Sequence, residues 1–294
     1  MTLPRARLGL TLVGLLALLP LSACASAREQ REAMAQTSAT WSTELLPGEQ
    51  EEVIEAVRAL GAQDPDDADI LVSIQALLRQ ARPRGNLSML VRAEALRAAW
   101  SLGSHLPAEP LRADSLTPQE FSERTRLFEQ LTVDPTTPPD DPRLLELARF
   151  LGTYRFAPGE EDLALDLADL VVSRALFAPQ SPVQASFLEV APGSVRHALV
   201  LTTLRLADDP HEPVRNEALA GARYMYPGPG LDLLAGALGI ERSRQVLLTA
   251  LDSLDTLASQ VPAEDLERVL DVLPVDSDLT LRRRVAEIRE GAGA

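Results

Sequence analysis

The sequence predicts an all-α chain, and three observations carry that prediction. Apolar residues recur at helical spacing, as in Val53, Ile54, Val57 and Leu60, and again in Ile70, Leu71, Ile74, Leu77 and Leu78. Helix-start chemistry sits where such stripes begin. Thr117-Pro118-Gln119-Glu120 sets a capping threonine, a first-turn proline and a capping-box glutamate in order, and Asp141-Pro142 and Pro262-Ala263-Glu264-Asp265 open further helices. No run of period-two alternation competes as a strand.

In chain order, the first element is a leader. Arg5 and Arg7 precede an apolar stretch from Leu8 to Leu21, and small residues follow, which is the order of a secretory signal. The stretch is about 14 residues, whereas a spanning helix needs roughly 20, so it predicts export and not a permanent span. It ends at Leu21-Ser22-Ala23-Cys24, and Cys24 is the chain's single cysteine. These four residues resemble the lipobox of bacterial lipoproteins. The resemblance implies cleavage over residues 1–23, acylation of Cys24, and, with Ala25 following in place of aspartate, placement in the outer membrane facing the periplasm. Several acyl chains on one residue hold a protein firmly to a membrane, where one chain alone holds it marginally. An acylated Cys24 leaves no thiol for a disulfide, so packing alone must stabilise the domain.

Residues 24–40 are small and polar, the composition of a tether. Ordered structure is expected from Trp41, with about twelve helices joined by short Pro, Gly and Asp connections. Residues 41–133 read as N-terminal helical repeats and 143–292 as C-terminal repeats. Between them, 134–142 is too rich in proline to be helical inside, and reads as a hinge or a long loop.

An internal repeat underlies that division. Val91-Arg92-Ala93-Glu94-Ala95-Leu96-Arg97-Ala98-Ala99 aligns without gaps on Val214-Arg215-Asn216-Glu217-Ala218-Leu219-Ala220-Gly221-Ala222, with six of nine positions identical. Its apolar members recur at i, i+4, i+5 and i+8, one stripe on a helix. The offset of 123 residues is three steps of about 41, a period of stacked helix pairs, and Val171, Ala175 and Leu176 offer a degenerate middle copy. Around the second copy, Ser194 to Leu206 predicts a first helix, Asp208-Asp209-Pro210 a tight turn, and Pro213 to Met225 a second helix. Aspartate and proline in the turn, then Val-Arg with Ala-Leu, resemble HEAT repeats. The resemblance implies a HEAT-like α-solenoid of stacked antiparallel helix pairs, with Asp209 and Arg215 as structural residues bridging turns and neighbouring repeats. An irregular all-α bundle is the competing architecture.

Composition narrows the function. The formal charge is −15, and removing the leader with its two arginines and no acid makes it more negative. Such a surface repels nucleic acid and anionic headgroups, and aromatics at 4% supply few stacking platforms. All 28 basic residues are arginine, which excludes Schiff-base lysines and the Walker lysine.

No catalytic constellation emerges. His105, His197 and His211 are scattered, without zinc-ligand spacing. His211 is expected at an exposed turn and His197 as a partly buried packing residue. Asp64, Asp66, Asp67 and Asp69 lack the glycine and glutamate of a calcium loop and read as helix-capping acids. Glu49 with Glu51-Glu52, and Glu160-Glu161-Asp162, read as first-turn acids, and no Gly-x-Ser-x-Gly elbow is present. Tyr224-Met225-Tyr226-Pro227-Gly228-Pro229-Gly230 concentrates scarce aromatics at a corner between helices. Tyr224 and Tyr226 are therefore candidate partner-binding residues, or else they close the next core; Trp41 and Trp100 are expected in the core. The sequence as a whole predicts a lipid-anchored, periplasm-facing, non-catalytic protein-binding scaffold with no cofactor and no metal. Its alternatives are an envelope enzyme assembled from separate helices and a purely structural spacer.

Overall fold

The computed structural model describes residues 47–64, 70–82, 88–107, 118–134, 136–138, 140–177, 182–273 and 278–292. The leader, Leu21 to Cys24, the tether, Trp41, and Asp66, Asp67 and Asp69 lie outside the described residues. Among the described residues the chain is all-helical, with no strand. The helices are α1 (Pro47–Gly61), α2 (Ile70–Ala81), α3 (Met89–Gly103), α4 (Pro118–Val133), α5 (Pro142–Thr153) and α6 (Glu161–Phe177). They continue with α7 (Pro182–Leu206), α8 (Glu212–Gly221), α9 (Pro227–Ile240), α10 (Arg244–Ala258), α11 (Ala263–Leu270) and α12 (Leu279–Ala292). A 3₁₀ turn, Ala222–Tyr224, follows α8.

Local chemistry sets several starts. Ser88 caps α3 by accepting from the Leu90 N–H at 3.3 Å, and Asp141 caps α5 by accepting from the Arg143 N–H at 2.8 Å with Pro142 in the first turn. α7 departs from expectation. It begins at Pro182 and runs through Pro192, 12 residues before the Ser194 start that the sequence suggests. An internal proline costs a helix about 3 kcal/mol. Phe187 and Ala191 before it, and Val195, Ala198 and Leu199 after it, are all fully buried, and that shared burial outweighs the lost hydrogen bond.

Helix contacts follow a definite order. α1 packs on α3, α3 on α8, α8 on α10 and α10 on α12. α2, α7, α9 and α11 pack beside members of this row, with α2 touching α7 and α9 touching α11. The two stretches that match in sequence therefore lie in direct contact, not three repeats apart. α4, α5 and α6 intervene in the chain but not in the row, because packing partners are chosen by complementary apolar faces and not by sequence interval. α6 instead packs along α7, α5 packs on α7, and α4 packs on α5.

The matching positions have matching environments. Val91, Ala95, Leu96 and Ala99 are buried, as are Val214, Ala218, Leu219 and Ala222. α10 carries a third occurrence that the nine-residue alignment misses, Val246, Ala250 and Leu251, again fully buried. Small residues let the helices approach. A Cβ at Gly61 of α1 would meet the Ala98 Cβ of α3 at 2.7 Å, and one at Gly221 of α8 would collide with the Trp100 indole of α3.

One buried apolar cluster runs from Val53 in α1 to Met225, and a second from Leu219 to Ile288; they meet at α8. The first contains residues from both sides of the proline-rich segment, including Phe128 and Leu144. Across that segment Phe121 of α4 packs against Phe150, Tyr154 and Phe156, with ring centroids 6.2, 4.5 and 5.0 Å away.

Candidate functional site

The turn between α7 and α8 holds a buried ion pair. Asp209 is 6% exposed and Arg92 of α3 is 4% exposed. The Arg92 guanidinium donates from Nε to the Ala81 carbonyl at 3.1 Å and from Nη1 to Asp209 Oδ1 at 3.4 Å, while Nη2 pairs with Oδ2. Asp209 Oδ1 also accepts the His211 N–H at 3.0 Å and faces the His211 ring nitrogen Nδ1 at 3.0 Å. Burial pushes the Asp209 carboxyl up, but the donors from Arg92 and His211 together with the Arg92 charge outweigh it, and the carboxyl is held below its ordinary range.

The same device recurs along the row. Arg215, the sequence equivalent of Arg92, donates to the Asp209 and Pro210 carbonyls at 2.8 and 3.1 Å and pairs with Glu241 at 2.7 Å. Arg244 of α10 pairs with Asp278 at 2.9 Å. Asp209 and Arg215 thus act as the structural residues that the sequence singles out. Arg92 was missed, although its match to Arg215 in the repeated stretch was the available signal.

Beside this turn lies a cleft of about 500 Å³, lined by Pro158, Gly159 and Glu161, by Leu201, Leu204, Arg205 and Leu206, and by Asp208, Asp209 and Pro210. Its far wall is the connection between α5 and α6. Gly159 turns there with φ 98°, a conformation that favours glycine. The Phe156 N–H donates to His197 Nε2 at 2.9 Å and the Ala157 N–H to Glu160 Oε2 at 3.0 Å, which hold the connection over α7. Burial, and then the nearby Arg155 charge, pull the His197 ring down to about 3. His197 is therefore neutral and buried, more deeply than the sequence reading expects.

Glu161 is the first residue of α6, where a first-turn acid was read, yet it is only 2% exposed and reaches the cleft. Its Oε1 pairs with Arg205 of α7. No described residue donates to Oε2. Asp162 turns the other way, towards Arg82. At the cleft's rim, Asp208 is exposed and its carboxylate pairs with no described residue.

The tyrosine corner is built around a buried arginine. Arg196 of α7 donates to the carbonyls of Gly103 and Tyr224, and its guanidinium lies 4.8 Å from the Trp100 ring centroid. Trp100 is core, as its sequence position suggests, and its Nε1 donates to Thr203 Oγ1 at 2.9 Å. Tyr224 stacks on Trp100 at 5.8 Å, yet remains 43% exposed. Tyr226 is half-buried at the start of α9. The corner therefore pins the Tyr224 backbone and presents its ring to solvent.

Elsewhere, His105 and Asp64 are exposed, and Glu51 and Glu52 sit on the exposed face of α1. Among the described residues, no three His, Cys, Asp or Glu side chains come together to hold a metal ion. No helix of the described residues is long and apolar enough to cross a membrane.

No family model matches the chain, and no curated protein matches it. Among solved structures it is similar to the crystal structure of an engineered protein, with 15% identity over 96% of each chain and a TM-score of 0.30. A likeness that distant bears on neither fold nor function.

Proposed function

We propose that this chain is a lipid-anchored, periplasm-facing scaffold whose HEAT-like helix pairs stack into a curved solenoid and bind another protein without catalysing a reaction. The observation that carries this reading is the direct packing of α3 on α8 through equivalent residues, continued by α10 and α12. Helix pairs that share one stacking pattern add their outer faces into an extended surface, which is how repeat proteins bind partners. The arginine and acid at each junction fix the register between neighbours.

Two buried groups at the candidate site support a binding role, whereas burial raises the carboxyls of Asp169 and Glu217 away from it. Arg92 holds the Asp209 carboxyl below its ordinary range, and His197 is pulled down to about 3. Neither is poised to exchange a proton near neutral pH, where a general base or acid works best. The anchoring half of the proposal rests on Leu21-Ser22-Ala23-Cys24, and residues 24–40 would form the tether that lifts the domain from the lipid. An overall charge of −15 favours a basic partner.

Proximity labelling in the native host, followed by reciprocal capture from detergent-solubilised envelopes and reconstitution from purified components, tests the scaffold. A stoichiometric complex is expected. Failure of every reciprocal capture to return a stoichiometric protein would overturn it.

A further inference from the structure

The cleft between α6, α7 and the turn before α8 has features that the structural ion pairs do not use. It holds about 500 Å³, within the range of pockets that enclose ligands. Its walls are largely apolar, from Leu201, Leu204, Pro158 and Pro210. Glu161 lines it while almost wholly buried, and only one of its two oxygens is engaged, by Arg205. The other oxygen opens on the cleft, where it can accept from whatever enters. At the rim Asp208 adds a second negative charge without an internal partner.

The remaining charges have been neutralised locally. Asp209 is satisfied by Arg92 and His211, and Arg205 is engaged by Glu161. What faces an incoming group is thus the second oxygen of Glu161, the carboxylate of Asp208, the half-exposed Arg205 guanidinium that Glu161 already balances, and aliphatic wall, with the Asp208 charge left in excess. That combination fits a cation on an aliphatic stem: carbon against leucine and proline, and N–H donors on the carboxylates.

We infer that this cleft receives a basic side chain, arginine before lysine, from the partner polypeptide. Arginine is favoured because its guanidinium offers five N–H donors in a rigid fork where lysine offers three on a point charge. A cleft this large also has room for the flanking residues of the segment that carries the side chain, which a free small cation would leave empty. This inference rests on the scaffold reading and names where, and by what chemistry, the partner is held.

The test titrates the full chain, with methyl-labelled leucines, against three probes followed by NMR. They are acetyl-Ala-Arg-Ala-amide, the same tripeptide with citrulline for arginine, and free n-butylguanidinium. Saturable shifts of the Leu201, Leu204 and Leu206 methyls are expected with the arginine peptide, and citrulline should weaken binding by about tenfold or more, as loss of a charge-assisted pair does. Asp208→Asn should weaken it about threefold, and Glu161→Gln by about tenfold. Leu204→Trp should abolish it by filling the cleft.

Because Glu161→Gln also loosens Arg205, the exposed Asp208→Asn and the citrulline peptide keep the test decisive if that variant misfolds. Equal binding of the citrulline peptide, no saturable leucine shift, or butylguanidinium binding as tightly as the tripeptide would each overturn the inference. A partner recovered from envelopes whose affinity ignores Asp208→Asn and Leu204→Trp would remove this cleft and leave the scaffold standing. Peptide binding without any recoverable partner would do the reverse.

Discussion

Arg92 and Asp209 stand 117 residues apart in the chain and form a buried ion pair that joins α3 to the turn before α8. The pair is completed by the Ala81 carbonyl on one side and the His211 N–H on the other. Its polar atoms are therefore satisfied from three separate stretches of chain, the end of α2, α3 and the turn before α8, and it joins the two halves of the row.

Removing one partner leaves the other charge buried and alone. Arg92→Ala or Asp209→Ala is expected to destabilise the domain by about 3 to 5 kcal/mol. Replacing both with apolar residues of similar size, Arg92→Met with Asp209→Leu, should cost clearly less than the two single changes added. Urea denaturation of the four proteins checks this, and additive losses would contradict it.

His197 gives stability a defined pH dependence. Its folded value of about 3 lies below the ordinary 6.5, so between those limits the unfolded chain binds a proton that the folded one refuses. Stability from this residue is present above 6.5 and is lost as pH falls towards 3. The slope should approach about 1.4 kcal/mol per pH unit in the middle of the window. His197→Gln, which keeps an acceptor for the Phe156 N–H, should flatten the curve between pH 5 and 6, and an unchanged slope would refute the assignment.

Gly221 permits the approach of α8 to α3 at Trp100. Gly221→Ala is expected to cost about 1 to 3 kcal/mol through overpacking, despite alanine's better helix propensity. The indole emission of Trp100 should shift with it, because the added methyl displaces the ring from Thr203. A stabilised variant with unaltered emission would show that the junction is looser than described.

Tyr224 separates binding from stability. Its ring stacks on Trp100, lies 5.9 Å from the Arg223 guanidinium and is 43% exposed, so Tyr224→Ala should cost about 1 kcal/mol of stability. If the corner anchors the partner, the same change should weaken the complex by 2 kcal/mol or more, about thirtyfold. Calorimetry on the isolated complex, beside urea denaturation of the free protein, distinguishes the two effects.

Cys24→Ala should move the protein from the membrane fraction to the soluble envelope fraction without changing its urea midpoint. Mass analysis of the mature chain should show acyl chains on the wild type alone. An unmodified, full-length wild-type chain would remove the anchor.

Helicity was legible throughout because it is local: the 3.6-residue stripes of α2 and the Asp141-Pro142 start of α5 need no partner to be recognised. The structural roles of Asp209 and Arg215 are what the resemblance to HEAT repeats implies, and the turn and helix start around them carry that resemblance. Pro192 misled the placement of α7, since a proline reads as a break unless the burial of Phe187 and Ala191 is known. The spacing between repeats misled more deeply. A period measures distance along the chain, and α3 meets α8 directly although four helices separate them in the chain. Glu161 looked like any first-turn acid, because nothing in Glu160-Glu161-Asp162 says which of the three faces Arg205. The cleft itself is built from two stretches remote in sequence, 158–161 and 201–210, and no linear motif could announce it.

The interposed helices have a consequence for how the chain reaches its native state. The α8 partner of α3 emerges only after α4, α5, α6 and α7, so during synthesis α3 has only α1 and α2 to pack on for a long interval. Closing the intervening loop costs little at equilibrium, since that term grows only with the logarithm of length. It delays the event, because contacts between distant segments slow folding. The α3–α8 junction, with its Arg92–Asp209 pair, should therefore be among the last parts of the fold to gain protection in pulse-labelled hydrogen exchange.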